Sequence, residues 1–177
     1  NDTGLDYIDV IKAISEGLLH STYSFDKYLT KKKANNTVTD VFLNIETKYE
    51  SDATDAINET KNLIDGIFLA RDLTNEPAMV ITPDALSNIA KSELTKLGVD
   101  VEVLNEKQIE KLNMNAFLAV AKGSDNPPRF IIMKWNGNPN SDEKIALVGK
   151  GLTYDSGGYS IKPTDSMITM SSDMAGS

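Results

Sequence analysis

Two prolines, Pro77 and Pro83, constrain this chain more than any other feature. Before Pro77, the stretch SDATDAINETKNLIDGIFLARDLTNEP (51–77) places Ile57, Leu63, Ile64, Ile67 and Phe68 on one apolar helical face, with Ser51 or Asp52 as the cap. Pro77 stops that helix, because proline cannot donate to the helical ladder and disfavours helix at the residue before it. Pro83 starts another. Thr82 is placed as the N-cap, Pro83 as the first helical residue and Asp84 at the positive helix end. Gly98 is placed to end this second helix in a left-handed conformation.

The flanks follow from local pattern. LDYIDVIKAISEGLLHSTYSFDKYL (5–29) has Ile8, Ile11, Ile14 (or Ser15), Leu18 and Leu19 at helical spacing. NTVTDVFLNIE (36–46) is rich in β-branched and aromatic residues and predicts a strand. Beyond the second helix, VDVEVL predicts a strand, and Asn105 with Gln108 has the spacing of a capping box on a short helix. AFLAVAKGS (116–124) is expected to be a strand running into a glycine turn. PPRFIIMKW and KIALVGKG are apolar strands separated by NGNPNSDE. From residue 83 onward strands alternate with helices, an α/β layout.

Bulk properties exclude several classes. The 177 residues carry a net charge of −8, with a pI of about 4.7, which argues against a nucleic-acid backbone as the main partner. The basic run TKKKANN (30–36) reads as a solvated loop. There is no cysteine, hence no disulfide, thiolate ligand or thiol nucleophile. No segment approaches the apolar length of a membrane span, and NDTGLDYIDV lacks the features of a signal peptide. The first residue is not Met and the end is abrupt, so a fragment is expected.

The chemistry concentrates in VGKGLTYDSGGYSIKPTDSMITMSSDMAG (148–176). In open α/β sheets ligands gather at the carboxyl ends of strands, and Lys150 stands at the end of an apolar run among glycines. Asp155, Lys162 and Asp173 follow. Gathered carboxylates need positive charge between them. The lysines supply it in a structural ion cluster; divalent cations supply it in a metal site, with oxygen donors suiting Mg²⁺ or Mn²⁺ and also able to hold Zn²⁺. A lysine that binds metal must shed its proton, which burial and a nearby dication favour. A second, protonated lysine can stabilise an oxyanion, so the group suits metal-assisted attack of water on a carbonyl. A charged turn without metal competes with this on spacing alone. A phosphate loop is disfavoured by Lys144 and Gly151 at its diagnostic positions. A serine triad is disfavoured because Ser156 lacks the G-x-S-x-G elbow and the single histidine, His20, falls in the first helix as a surface or packing residue.

The same residues resemble a known family. The closing segment is similar to the first metal-binding segment of the leucyl aminopeptidases, the M17 cytosol aminopeptidase family, whose pattern runs V-G-K-G-[ILV]-[TC]-[FY]-D-[ST]-G-G-x-[SN]-[IL]-K and then reaches the Asp of D-M-x-G. ARDLTNEPAMVITPDAL resembles the family connector, with Met79 where Asn is usual, and AVAKGSDNPPRFIIMKW and AISEGLLHSTYSFDKY resemble its strand region and the last helix of its N-terminal domain. The resemblance implies that Lys150, Asp155 and Asp173 are metal ligands, that Lys162 polarises the scissile carbonyl and that Met170 lines the pocket for the substrate's first side chain. Gly157 and Gly158 would turn the backbone sharply between the charged residues.

The implied protein is a two-metal aminopeptidase (Zn or Mn, with Mg also compatible) that releases leucine-like N-terminal residues from peptides. It would be cytoplasmic and homo-hexameric, with peptide substrates and no membrane partner, and the acidic composition disfavours nucleic acid for this part. A non-catalytic scaffold or DNA-binding relative is the alternative. The family completes its site with a later N-T-D-A-E-G-R segment, whose Arg holds a bicarbonate. That segment is not in this sequence, so the 177 residues alone are expected to be inactive. The expected organisation is the end of an N-terminal α/β (macro-like) domain at 1–50, a connecting helix and linker at 51–82, and the first part of a mixed-sheet α/β catalytic domain at 83–177.

Overall fold

The structure, a computed structural model, describes residues 4–31, 38–158 and 161–177. The chain divides into two compact units, 1–72 and 73–177, with the boundary inside a long helix.

In the first unit, α1 spans Tyr7–Ser21, and Asp6 caps it by accepting from the Ile8 N–H at 2.9 Å. Ile11 and Ser15 are its buried positions, while Ile14 and Leu18 stay exposed. α2 spans Glu50–Asn75 and follows directly from a single 3₁₀ turn at Thr47–Tyr49. Ser51 and Asp52 therefore lie inside the helix rather than capping it, with Glu50 and Asp52 complementing the positive end of the dipole.

The buried stripe of α2 is Ala53, Ala56, Thr60 and Ile64. Of the apolar face expected from sequence, Ile64 is buried and Leu63 is 55% exposed. Small residues take the inner positions because Ile11 packs against Ala53 and Ala56, flanked by Tyr7, Ile8, Leu43, Ile45 and Ile57. Thr60 satisfies its buried hydroxyl by donating to the Ala56 carbonyl at 2.8 Å.

The strand expected at 36–46 is absent over 38–46, and residues 36–37 lie outside the described residues. Leu43 and Ile45 pack against the core of the unit, but no neighbouring strand offers this segment a ladder among the described residues. β-branched side chains favour extended backbone, yet a strand exists only where backbone groups find partners. Most of the basic run 30–36 also lies outside the described residues.

In the second unit, α3 spans Pro83–Thr95, with Thr82 Oγ1 accepting from the Ala85 N–H at 3.2 Å. Gly98 adopts φ +79°. Hydrogen bonds from Val99 N to Leu94 O and from Gly98 N to Thr95 O close the helix in a Schellman motif. β1 (Asp100–Leu104) then leads into α4 (Glu106–Lys111) through a reciprocal Asn105–Gln108 capping box.

AFLAVAKGS is not a strand: α5 spans Asn115–Ala121. Its alanines and leucine are good helix formers, and a helix satisfies its backbone without a neighbouring strand. Phe117 on α5 meets Phe130 edge-on, ring centroids 5.7 Å apart. β2 (Phe130–Lys134) pairs antiparallel with β1, from Asp100 opposite Lys134 to Leu104 opposite Phe130. The core joins Ile81, Leu86 and Met174, with Leu73, Ile89 and Ile131 packed around them; Ile109 is fully buried. A short α6 (Thr164–Met167) precedes the last turns.

KIALVGKG also departs from expectation. It forms no strand, and Ile145, Leu147 and Val148 are 93%, 93% and 97% exposed. Its apolar run is that of a strand covered on both faces, but none of the described residues pairs with it as a strand, and Ile145, Leu147 and Val148 stay uncovered. The result is a mixed α/β arrangement whose sheet, among the described residues, is a single antiparallel pair rather than an alternating mixed sheet.

Candidate metal centre

Local backbone chemistry brings the closing segment together. Asp155 Oδ1 accepts from the Gly157 N–H at 2.9 Å, forming an Asx turn. Gly157 and Gly158 follow at φ +89° and +70°, a region that side-chain-bearing residues rarely enter. The Lys162 N–H then donates to the Ser156 carbonyl at 3.0 Å and closes the loop. Tyr159 and Ser160, within the motif, lie outside the described residues. Downstream, a 3₁₀ turn at Met170–Ser172 delivers Asp173, and the adjacent Met174 is buried in the core of the unit.

All five residues singled out in the sequence meet here. Lys150 Nζ lies 2.9 Å from Asp173 Oδ2 and 3.8 Å from Asp155 Oδ2. Lys162 Nζ donates to Asp155 Oδ2 at 2.7 Å and contacts Met170 Sδ at 2.9 Å. Two ammonium groups thus balance two carboxylates. Lys162 holds the Asp155 carboxyl below its ordinary value of 3.8, helped by the Gly157 N–H and opposed by desolvation.

Lys150 departs from the expectation that burial favours its neutral form. Its side chain is 60% exposed, and the Asp173 carboxylate, with Asp155 behind it, raises its pKa above 10.5. Carboxylates without a dication stabilise the ammonium; an added dication reverses that balance.

The donor set fits a divalent cation. Asp173 Oδ2 is buried, and Lys150 Nζ at 2.9 Å is its charge partner. Carboxylate oxygens and a neutral amine are suitable ligands for Mn²⁺, Mg²⁺ or Zn²⁺. Among the described residues no cluster holds three or more Asp, Glu, His or Cys, so the set here is two carboxylates and a lysine.

Two positions escaped the sequence reading. A Cβ on Gly149 would stand 2.3 Å from the Gly176 carbonyl oxygen, so the closing turn lies directly on this backbone. The glycines around Lys150 were its only sequence signal. Arg129 donates from Nε and Nη2 to Asp84 Oδ1 at 3.0 and 2.8 Å, fastening the start of α3 to the start of β2. Of the residues weighed and set aside, His20 lies 3.7 Å from Glu16 and edge-on to Phe68, and Ser156 serves the loop through its carbonyl. No helix among the described residues is long and apolar enough to cross a membrane.

Comparison with known proteins identifies the family. Residues 68–177 match the model of the cytosol aminopeptidase family, catalytic domain. The chain is 57% identical over 173 residues to a probable cytosol aminopeptidase of Clostridium tetani, covering 98% of this chain and 36% of that protein. A probable cytosol aminopeptidase of Treponema denticola is 51% identical over 166 residues, 94% of this chain and 35% of the relative. Among solved structures, the bottromycin maturation enzyme BotP in complex with Mn superposes with a TM-score of 0.81 at 28% identity, over 99% of this chain and 35% of that one. This chain belongs to the cytosol aminopeptidase family. It spans about a third of the length of the curated relatives it matches.

Proposed function

We propose that this chain is part of a metal-dependent aminopeptidase that removes leucine-like N-terminal residues from peptides. The carrying observation is the convergence of Lys150, Asp155 and Asp173, with Lys150 Nζ 2.9 Å from the buried Asp173 Oδ2 and 3.8 Å from Asp155 Oδ2. The names of the relatives support the peptidase reading, and the complex of BotP with Mn supports the metal.

In this reading Lys150, Asp155 and Asp173 hold two divalent ions, Zn or Mn, with Mg also compatible. Bound there, such ions supply Lewis acidity toward the scissile carbonyl and lower the pKa of water. Asp155 and Asp173 contribute oxygen donors. Lys150 must release an Nζ proton, because an ammonium has no lone pair to offer. Lys162 keeps its protons and donates from Nζ to the carbonyl oxygen as negative charge develops there. Met170 stands against that ammonium and presents its thioether to the substrate's first side chain.

The whole protein is a cytoplasmic homo-hexamer in this reading, organised as 1–50, 51–82 and 83–177, with a bicarbonate held by an arginine outside these residues. The 177 residues alone are inactive, because two carboxylates and a lysine do not complete two metal shells. Turnover of leucyl-4-nitroanilide by the 177 residues with Mn²⁺ would overturn that last point.

The test of the reading is Asp173→Asn in the protein at its natural length, with Mn²⁺ binding read by calorimetry beside leucyl-4-nitroanilide turnover. Loss of a Mn²⁺ site together with turnover is expected. Unchanged Mn²⁺ binding would favour a second reading, a structural ion cluster. The raised pKa of Lys150 and the balance of two lysines with two aspartates support that one.

A further inference from the structure

Gly149 precedes Lys150 and has no positive φ, so its glycine is not explained by backbone conformation. It is explained by space. A Cβ there would meet Gly176 O at 2.3 Å, Ser177 Cα at 2.6 Å and Gly176 C at 3.1 Å, all backbone atoms that cannot swing aside. Ordinary carbon–oxygen contacts begin near 3.3 Å. Any side chain would therefore push the closing turn away by about an ångström.

That turn is tied to the ligand pair at both ends. Ala175 N bonds to Ser172 O at 3.0 Å and Ser177 N to Met174 O at 3.1 Å, which makes residues 172–177 a compact unit. Met174 anchors it in the core with Ile81 and Leu86. Asp173, within the turn, faces Lys150, the residue after Gly149. By contrast, a Cβ on Gly151 meets Ser177 Cβ at 3.4 Å, an ordinary contact, and one on Gly176 meets nothing within 4 Å among the described residues.

We propose that Gly149 is a positioning residue: its missing side chain lets the turn at 174–177 seat on the backbone beside Lys150, and that seating sets the Lys150–Asp173 separation. The inference rests on the metal reading above and extends it to a residue that touches no ligand.

The test is Mn²⁺ binding by calorimetry, with the electron paramagnetic resonance line shape of bound Mn²⁺, in the protein at its natural length. Gly149→Ala is expected to weaken Mn²⁺ about 10- to 100-fold, the usual cost of disturbing the support of a ligand, and to broaden the spectrum. Gly151→Ala is expected to leave both unchanged. Asp173→Glu, with its longer arm, is expected to recover affinity in the Gly149→Ala background while weakening it alone; additive losses would overturn the inference. Met174→Ala loosens the same turn from its buried side with Gly149 intact, so it decides the matter if Gly149→Ala does not fold. Wild-type affinity in Met174→Ala, or in a folded Gly149→Ala, overturns the positioning role. A wild-type protein that binds no Mn²⁺ overturns the metal reading and this inference with it.

Discussion

Lys162 Nζ reaches Asp155 Oδ2 at 2.7 Å across a loop that contains two left-handed glycines, Gly157 and Gly158. The pair is only partly exposed, so the ammonium and the Gly157 N–H together hold the carboxyl in its charged form.

The titration of Asp155 should follow that pair. Its folded pKa is depressed, so its contribution to stability is present above the unfolded value and lost as pH falls through the folded one. Lys162→Met removes the main cause and should move the Asp155 midpoint upward toward 3.8, read by carboxyl-carbon NMR. A midpoint that stays in place would mean the Gly157 N–H and Lys150 hold the charge without Lys162.

Gly158→Ala should destabilise the protein by about 1–2 kcal/mol, the cost of a left-handed L-residue. Among the described residues a Cβ there meets nothing within 4 Å, so the cost is argued from backbone strain. Gly158→Asn should lose less, because asparagine tolerates that region better. Urea denaturation with both variants checks the order.

Arg129→Ala should cost about 1 kcal/mol, because one Asp84 oxygen loses two charged donors at a half-exposed site. Arg129→Lys should recover little of this, since an ammonium cannot reproduce the guanidinium fork. A double-mutant cycle with Asp84→Asn isolates the pair, and a coupling energy of zero would dissolve the clamp.

Ile109→Ala should be far more severe, about 2–5 kcal/mol, because the side chain is fully buried. Leu112→Ala, at a residue 59% exposed, should stay within about 0.5 kcal/mol. Thermal unfolding of the two variants separates them clearly.

Much of the fold was legible because it is locally encoded. Thr82 with Pro83, Gly98, and Asn105 with Gln108 each specify a helix end through bonds spanning only a few residues. The strands at Asp100–Leu104 and Phe130–Lys134 were legible too, and each finds the other. AFLAVAKGS was misread because its alanines and leucine favour helix, whereas the segments at 38–46 and 144–151 were misread for a shared reason. An apolar, β-branched run states a preference for burial, but whether it becomes a strand depends on a partner that sequence does not name.

The candidate site divides in the same way. Residue types and spacing picked out Lys150, Asp155, Lys162 and Asp173, because donor chemistry belongs to the side chains themselves, and the family resemblance added Met170. The tertiary structure decided how they meet. It placed two lysines between two carboxylates, set the buried Asp173 Oδ2 beside Lys150 and laid the closing turn on Gly149. It also raised the Lys150 pKa above its ordinary value, since that depends on which neighbours come within a few ångströms, and the fold sets those distances.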